Sequence, residues 1–417
     1  MNGKNCKDSG NKHLCFITAI LITGGGDRLL QSICPRLKKL GYAITIFAAY
    51  PLRGKSSIRS DFEHQGITVK MPPPYISKIL LMGIGLIPFT PSFILYPICC
   101  LNLNKSIVFY KKVYHWVEKN FVYPIFHCFL IVRVICDHHF KQYFIISGYM
   151  AGMYPVLYRL KKMLKIQVFY TEISSPQWRI GGTNKKKTQM YLNTFDKIFV
   201  PSSIIGKELE KFEGLQNIFY TIPFFIDLPK FVYQTPQTPA RSFGLIARLS
   251  PEKNQDILIE TLYIVKKNIS DVTLVLIGTG PLKQQLITIA ISLGVLEDIR
   301  FIDNFEKIEE VIQKIDIFTL VSDVEGMPLT IIEALYFGKP VIATPVGSIP
   351  DMIVDGYNGY IIDKNQIRDI ADHIIELMEN DNQYKMMSQN SRLVYERKFD
   401  PDTLFSELLL HYKDSNS

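Results

Sequence analysis

The stretch VSDVEGMPLTIIEALYFGKPVIATPVGSIPDMI, residues 321–353, carries the densest structural information in the chain. The apolar run 317–322 ends in a loop holding Glu325 and Gly326, and Pro328 then stands near the first position of a helix reaching Phe337, where a missing N–H costs nothing. Gly338 and Pro340 stop that helix, and PVIATP (340–345) reads as the next strand. The amides of Met327, Leu329 and Thr330 are expected to point out of the helix N-terminus, a place suited to a diphosphate or carboxylate. Glu333, eight residues after Glu325, lies one to two turns into the helix, within reach of hydroxyl groups on whatever that N-terminus binds.

Upstream, GLIARLSPEKNQDILIE (244–260) puts Arg248 at a strand end and Lys253 at the mouth of the next helix, where two cations can face one anion. VLIGTGPLKQQL (275–286) sets Gly278 and Gly280 in a strand-to-helix turn that a base or phosphate can approach closely. Strands 242–250, 272–278, 299–303, 317–322 and 340–345 alternate with helices near 254–267, 281–293, 305–314 and 328–337. Such alternation predicts a parallel sheet covered on both faces, with ligands at the carboxyl ends of the strands.

The first half has the same rhythm: LCFITAILI (14–22), AITIFAA (43–49), YFIIS (143–147), a basic helix at 156–165, IQVFYT (166–171), KIFVP (197–201) and NIFYTIP (217–223). The run at 14–22 follows Lys12 and could pass for a signal-peptide core. It continues instead into TGGGDRLL, and Leu29, Leu30, Ile33 and Leu37 have helical spacing, so strand, glycine turn and helix is the better reading. YQTPQTPARS (233–242), rich in Pro, Gln and Thr, breaks the rhythm as a linker. The expected organisation is therefore a domain over 1–234, a linker over 235–241, a second domain over 242–398 and a final helix over 399–417 that returns to the first domain.

At 417 residues and 47% hydrophobic composition the chain is globular and long enough for two domains. The net charge of +8 is uneven: residues 1–236 carry 30 Lys+Arg against 12 Asp+Glu, and residues 237–417 carry 17 against 27. The basic half attracts anions, but it has no helix-turn-helix pattern or zinc spacing, and no nucleic-acid partner is expected. All seven cysteines (Cys6, Cys15, Cys34, Cys99, Cys100, Cys128, Cys136) lie in that half without C-x-x-C spacing, which reads as reduced, buried thiols. No charged residue occurs from Ile79 to Asn104, between basic flanks. That segment reads as a buried helix pair, as an interfacial patch dipping into lipid or as a crossing helix, with Pro88, Pro91 and Pro97 arguing against the last.

A cation pair, a glycine turn, an anion-binding helix start and a hydroxyl-binding Glu, in that order, resemble the donor domain of a family 4 glycosyltransferase, specifically over residues 243–363. The resemblance implies a GT-B fold, an α/β architecture of two Rossmann-like domains facing a central cleft. It further implies that Arg248 and Lys253 neutralise the diphosphate of a nucleotide-sugar, that Glu333 binds ribose hydroxyls, and that Glu325 lies beside the transferred sugar. Transfer with retention is the family expectation, with no metal and no cofactor besides the nucleotide-sugar substrate. The match around TGGGDRLLQSICPRLKKLGYAITIFA (23–48) is looser. Gly24 and Gly25 would face the diphosphate from across the cleft, or the glycines simply make a tight turn.

Two departures from the family stand out. Glu172, in YTEIS, occupies about the place where relatives often have a His near the sugar, and Phe224-Phe225-Ile226-Asp227 replaces a frequent Asn-Gly-Ile-Asp. GGTNKKKT (181–188) lacks a Walker pattern, and Asp400 with Asp402 around Pro401 reads as a helix N-cap rather than a metal site. The acceptor expected from the apolar, basic first half is a saccharide, free or polyprenyl-linked, used in surface polysaccharide synthesis by a cytoplasmic protein peripheral on the inner face of the membrane, where an anionic lipid surface is a partner. The alternative is a non-catalytic, membrane-associated subunit built on a degenerate GT-B fold, against which Arg248, Lys253, Glu325 and Glu333 all speak.

Overall fold

The computed structural model describes residues 13–18, 25–48, 57–70, 142–147, 167–173, 195–211 and 219–413, with positions 158, 161, 162, 189, 190, 192 and 193. Gly24, the apolar segment 79–104 and the lysine loop 181–188 lie outside them, as do Cys6, Cys99, Cys100, Cys128 and Cys136. The chain divides into two compact units.

The first unit is built on β1 (His13–Thr18), α1 (Gly25–Lys39), β2 (Ala43–Ala48), α2 (Ser57–His64), β3 (Thr68–Lys70), β4 (Gln142–Ser147), β5 (Gln167–Glu172) and β6 (Lys197–Val200). The strands pair in parallel in the order β3-β2-β1-β4-β5-β6. Parallel strands buried on both faces require continuous apolar runs, and Cys15, Phe16 and Ile17 of β1 are fully buried. Helix α1 starts at Gly25 and turns Leu30, Cys34 and Leu37 inward at helical spacing, each fully buried. Burial pushes the Cys34 thiol far above its ordinary range, which makes it an inert core group.

The second unit contains α3 (Ser203–Glu210), β7 (Phe219–Thr221), β8 (Ser242–Ile246), α4 (Gln255–Val265), β9 (Thr273–Ile277), α5 (Lys283–Leu293), β10 (Ile299–Ile302), α6 (Ile308–Ile312) and β11 (Ile317–Leu320). It continues through α7 (Leu329–Tyr336), β12 (Val341–Ala343), α8 (Ile349–Met352), β13 (Gly359–Ile361), α9 (Ile367–Glu379), α10 (Asp381–Lys398) and α11 (Pro401–Lys413). The sheet runs β10-β9-β8-β11-β12-β13, all parallel. Counted from its own first strand this is the order 3-2-1-4-5-6, the doubly wound arrangement, and the first unit repeats it. Asp400 accepts from the Thr403 amide at 2.8 Å and from its hydroxyl at 2.7 Å, and so caps α11.

The Pro- and Gln-rich stretch before β8 runs extended along the second unit. Tyr336 holds it by accepting from the Phe231 amide at 3.0 Å and donating to the Pro229 carbonyl at 2.6 Å, while the Phe231 ring packs 4.8 Å from that of Phe337. Further along, the Tyr233 hydroxyl lies 2.8 Å from Ser388 Oγ, which donates to the Gly338 carbonyl at 2.6 Å. Among the described residues, no helix is long and apolar enough to cross a membrane.

Candidate active site

In a 3-2-1-4-5-6 sheet the connections leave the first and fourth strands toward opposite faces, and the gap between their carboxyl ends is where such folds bind ligands. In the second unit those strands are β8 and β11, and the loops that leave them carry Arg248–Asn254 and Val321–Met327. The topology alone therefore brings Arg248, Lys253 and Glu325 to one place.

Within that place Lys253 Nζ donates to Glu325 Oε1, with the two side chains only 19% and 10% exposed. Arg248 donates to Glu252 Oε1 at 2.8 Å, and Ser250 Oγ reaches the same oxygen at 2.7 Å. Each of the two cations thus has a carboxylate partner within the protein, Arg248 on Glu252 and Lys253 on Glu325. Burial pushes the Glu252 carboxyl up, but the hydrogen bonds from Ser250 and Arg248 outweigh it and hold the group down at about 2.

The turn at Pro251–Lys253 is a short 3₁₀ helix, and Asn254 leaves it in the left-handed region at φ 48°. Asn254 Nδ2 donates to the Val321 carbonyl at 2.9 Å and to Asp323 Oδ1 at 2.8 Å, and the Asp323 amide donates back to the Glu252 carbonyl at 2.9 Å. Gln255 Nε2 donates to the Arg248 carbonyl at 2.8 Å. Motif reading missed Asn254, Gln255 and Asp323. The available signal was Asn254 itself, since Asn tolerates the left-handed conformation and stands where a helix must start after a tight turn.

Pro328 differs from its expected place by one position. It is the N-cap of α7, with φ −71° and ψ 110°, and the helix starts at Leu329. Proline offers no side-chain acceptor, so the N-cap residue itself gives the first turn no side-chain bond, while the Ile331 amide goes to the Pro328 carbonyl at 3.0 Å. Met327 then belongs to the loop, and its sulfur accepts from the Phe224 amide at 3.2 Å. Phe225, buried beside it in sequence, packs edge-on to Phe405 of α11 at 6.4 Å, so the Phe-Phe that stands in for Asn-Gly is used in packing. Glu333 is fully buried on α7.

The glycines of the 275–286 turn have a neighbour other than a ligand. A Cβ on Gly278 would meet the Ala247 carbonyl oxygen at 2.2 Å, and one on Gly280 the Leu249 carbonyl oxygen at 2.1 Å. They let the turn lie against the Arg248 loop, where the Leu249 amide donates to the Thr279 carbonyl at 3.0 Å. Gly347, at φ 58°, does the same for the other loop: its Cβ would lie 2.2 Å from the Glu325 carbonyl oxygen, and Ser348 N donates to the Gly326 carbonyl at 2.8 Å. In the first unit, Glu172 ends β5 fully buried and accepts from the Tyr170 hydroxyl at 3.1 Å, and Gly25 opens α1.

Residues 234–394 match the family model described as glycosyl transferases group 1. Over 288 residues the chain is 25% identical to the uncharacterized glycosyltransferase MJ1178 of Methanocaldococcus jannaschii, covering 63% of this chain and 79% of that one. Over 298 residues it is 27% identical to the poly(ribitol-phosphate) alpha-N-acetylglucosaminyltransferase of Staphylococcus aureus, covering 69% and 58%. The fold is similar to that of Anabaena Alr3699/HepE, solved in complex with UDP, at a TM-score of 0.70 and 15% identity over 96% of this chain and 100% of the other. The strand order, the two Rossmann-like units and the 234–394 match agree: the chain is a glycosyltransferase with the GT-B fold, similar over residues 234–394 to glycosyl transferases group 1.

Proposed function

We propose that this glycosyltransferase takes a sugar from a nucleotide-diphospho-sugar and passes it to a saccharide acceptor with retention of anomeric configuration. The observation that supports this best is the Lys253–Glu325 pair at the β8/β11 switch point. In this reading the diphosphate draws Lys253 away from Glu325 and takes Arg248 as well, with the α7 amides of Leu329 and Thr330 completing the anion site. Glu325 is then released to the sugar hydroxyls, and Glu333 binds the ribose. Gly278 and Gly280 shape the donor side, and Gly24, Gly25 and Glu172 are assigned to the first unit's side of the reaction.

The reaction breaks the bond between the anomeric carbon and the diphosphate oxygen and forms one from that carbon to an acceptor hydroxyl oxygen. The hydroxyl proton leaves with the departing phosphate. Negative charge grows on the leaving group, so cations and N–H dipoles fixed beforehand lower the barrier. None of these steps calls for a metal or a further cofactor.

The acceptor we propose is a growing surface polysaccharide, free or polyprenyl-linked, at the inner face of the membrane, with the protein cytoplasmic and peripheral there. The excess of 30 basic over 12 acidic residues in positions 1–236 supports an anionic surface or acceptor. The name of the Staphylococcus aureus relative, which acts on poly(ribitol-phosphate), supports a polymeric acceptor.

The test is thermal shift together with slow release of nucleoside diphosphate, using UDP-, GDP-, ADP- and dTDP-sugars with EDTA and without acceptor. A ligand that binds only the folded chain raises its melting temperature. Stabilisation by one nucleotide class, lost in Glu333→Ala, is the expected result. Absence of any shift would overturn the donor reading in favour of a non-catalytic subunit.

A further inference from the structure

We infer that Asn254 is a positioning residue for Lys253 and Glu325, anchored through Asp323 and Lys364. The inference rests on the donor-site reading above. Asn254 follows Lys253 directly, and Asp323 stands two residues before Glu325, so a tie between them sets the separation of the two loops beside the ion pair. Three hydrogen bonds make that tie: Asn254 Nδ2 to the Val321 carbonyl at 2.9 Å, Asn254 Nδ2 to Asp323 Oδ1 at 2.8 Å, and the Asp323 amide to the Glu252 carbonyl at 2.9 Å.

The backbone shows why an asparagine serves. Asn254 is the one non-glycine residue with positive φ among the described residues, a conformation that asparagine tolerates best of the residues with a Cβ. Glycine would make the same turn but would leave both loops without the side-chain amide. Lys364, from the loop after β13, pairs with the same oxygen of Asp323 that Asn254 binds. Burial pushes the Asp323 carboxyl up, and the hydrogen bonds from Lys364 and Asn254 outweigh it, holding the group below its ordinary range and therefore charged. The anchor thus remains an acceptor over the whole neutral range, and Lys253 is aimed without Asn254 touching substrate.

A double-mutant cycle on the full chain tests this. Binding of UDP, GDP, ADP and dTDP, each in turn, is measured by calorimetry for wild type, Asn254→Gly, Lys253→Ala and the double variant. If Asn254 acts by aiming Lys253, each single change weakens the nucleotide that wild type binds by about tenfold or more, and the double variant is within about twofold of Lys253→Ala, since coupled residues are not additive. A purely structural role would instead lower the melting temperature and give multiplied losses in the double variant, which would overturn the inference, as would unchanged binding in Asn254→Gly.

Should Asn254→Gly not fold, Lys364→Met, which leaves both Asn254 bonds in place but loosens the anchor, enters the same cycle with Lys253→Ala under the same criterion. Wild type that binds none of the four nucleotides overturns the donor-site reading and the positioning role with it. Wild type that binds while the cycle is additive overturns the positioning role alone.

Discussion

Lys253 and Glu325, 72 residues apart in the chain, close a largely buried ion pair at the carboxyl ends of β8 and β11. Removing either partner leaves a desolvated charge uncompensated, and single truncations of buried pairs cost about 3–5 kcal/mol. This pair retains some exposure, so a loss toward the lower end is expected for Glu325→Ala. Lys253→Ala should leave a folded protein that transfers sugar roughly 10²–10³-fold more slowly, the range seen when one donor to a developing oxyanion is lost. Steady-state release of nucleoside diphosphate measures it, and an unchanged rate would remove Lys253 from the mechanism.

The Glu252 carboxyl gives a pH signature. Its pKa falls from 4.5 to about 2 in the folded chain, so the charged form is the one the fold favours. The stabilisation is fully present above about pH 4.5 and is lost as pH falls from there through about 2. Glu252→Gln keeps an acceptor for Ser250 but has no charge to lose. The difference in urea midpoint between wild type and Glu252→Gln should therefore be constant near neutrality and shrink below about pH 4.5. A difference that does not change with pH in that range would contradict the assignment.

The long strands and the loops that leave β8 and β11 were legible in the sequence because they follow from strong local signals. The apolar runs that became β8, β9 and β11 could hardly be anything but buried parallel strands, and the Glu325 and Arg248 loops had to sit at their carboxyl ends. β3 and β13 went unread because neither stands in a marked apolar run, whereas the equally short β7 and β12 lie inside the apolar runs 217–223 and 340–345. The side-chain partners were also out of reach. Nothing in RLSPEKN says that Arg248 turns back on Glu252, since that contact depends on the 3₁₀ turn that Pro251 starts. For Gly278 and Gly280 the sequence did not reveal the neighbouring backbone, because close approach of backbone to backbone and of backbone to phosphate ask for the same residue.

That neighbour makes Gly280→Ala informative. The new methyl would fall 2.1 Å from the Leu249 carbonyl oxygen and 2.6 Å from the Leu249 nitrogen, both backbone atoms that cannot move aside alone. Relief requires the Arg248–Lys253 loop to shift away from the β9 turn. Stability should fall by about 1–3 kcal/mol, the usual cost of overpacking, and nucleotide affinity should fall with it. A melting temperature matching wild type would show that the loop has room that the geometry denies it.

Gly338 offers a test of the extended segment against α7 and α10. Its φ is 66°, and a Cβ there would lie 2.3 Å from a Tyr233 ring carbon and 3.2 Å from the Ser388 carbonyl oxygen. Gly338→Ala therefore carries two separable penalties, about 1–2 kcal/mol for a left-handed alanine and about 1–3 kcal/mol for the ring clash. Tyr233→Ala removes the ring, together with its hydroxyl contact to Ser388, and should cost stability by itself. Combined with Gly338→Ala it also removes the clash and leaves only the backbone penalty and the lesser crowding by Ser388. Chemical denaturation should then show the double variant more stable than the sum of the two single losses by about 1–2 kcal/mol, within the range of coupling between residues in contact. Additive losses would mean that Tyr233 does not rest on Gly338 in solution and that this stretch is a free linker. A positive coupling would place the start of the second unit upstream of Tyr233, and chains cut at 235 would lose the contact and melt earlier than those that keep it.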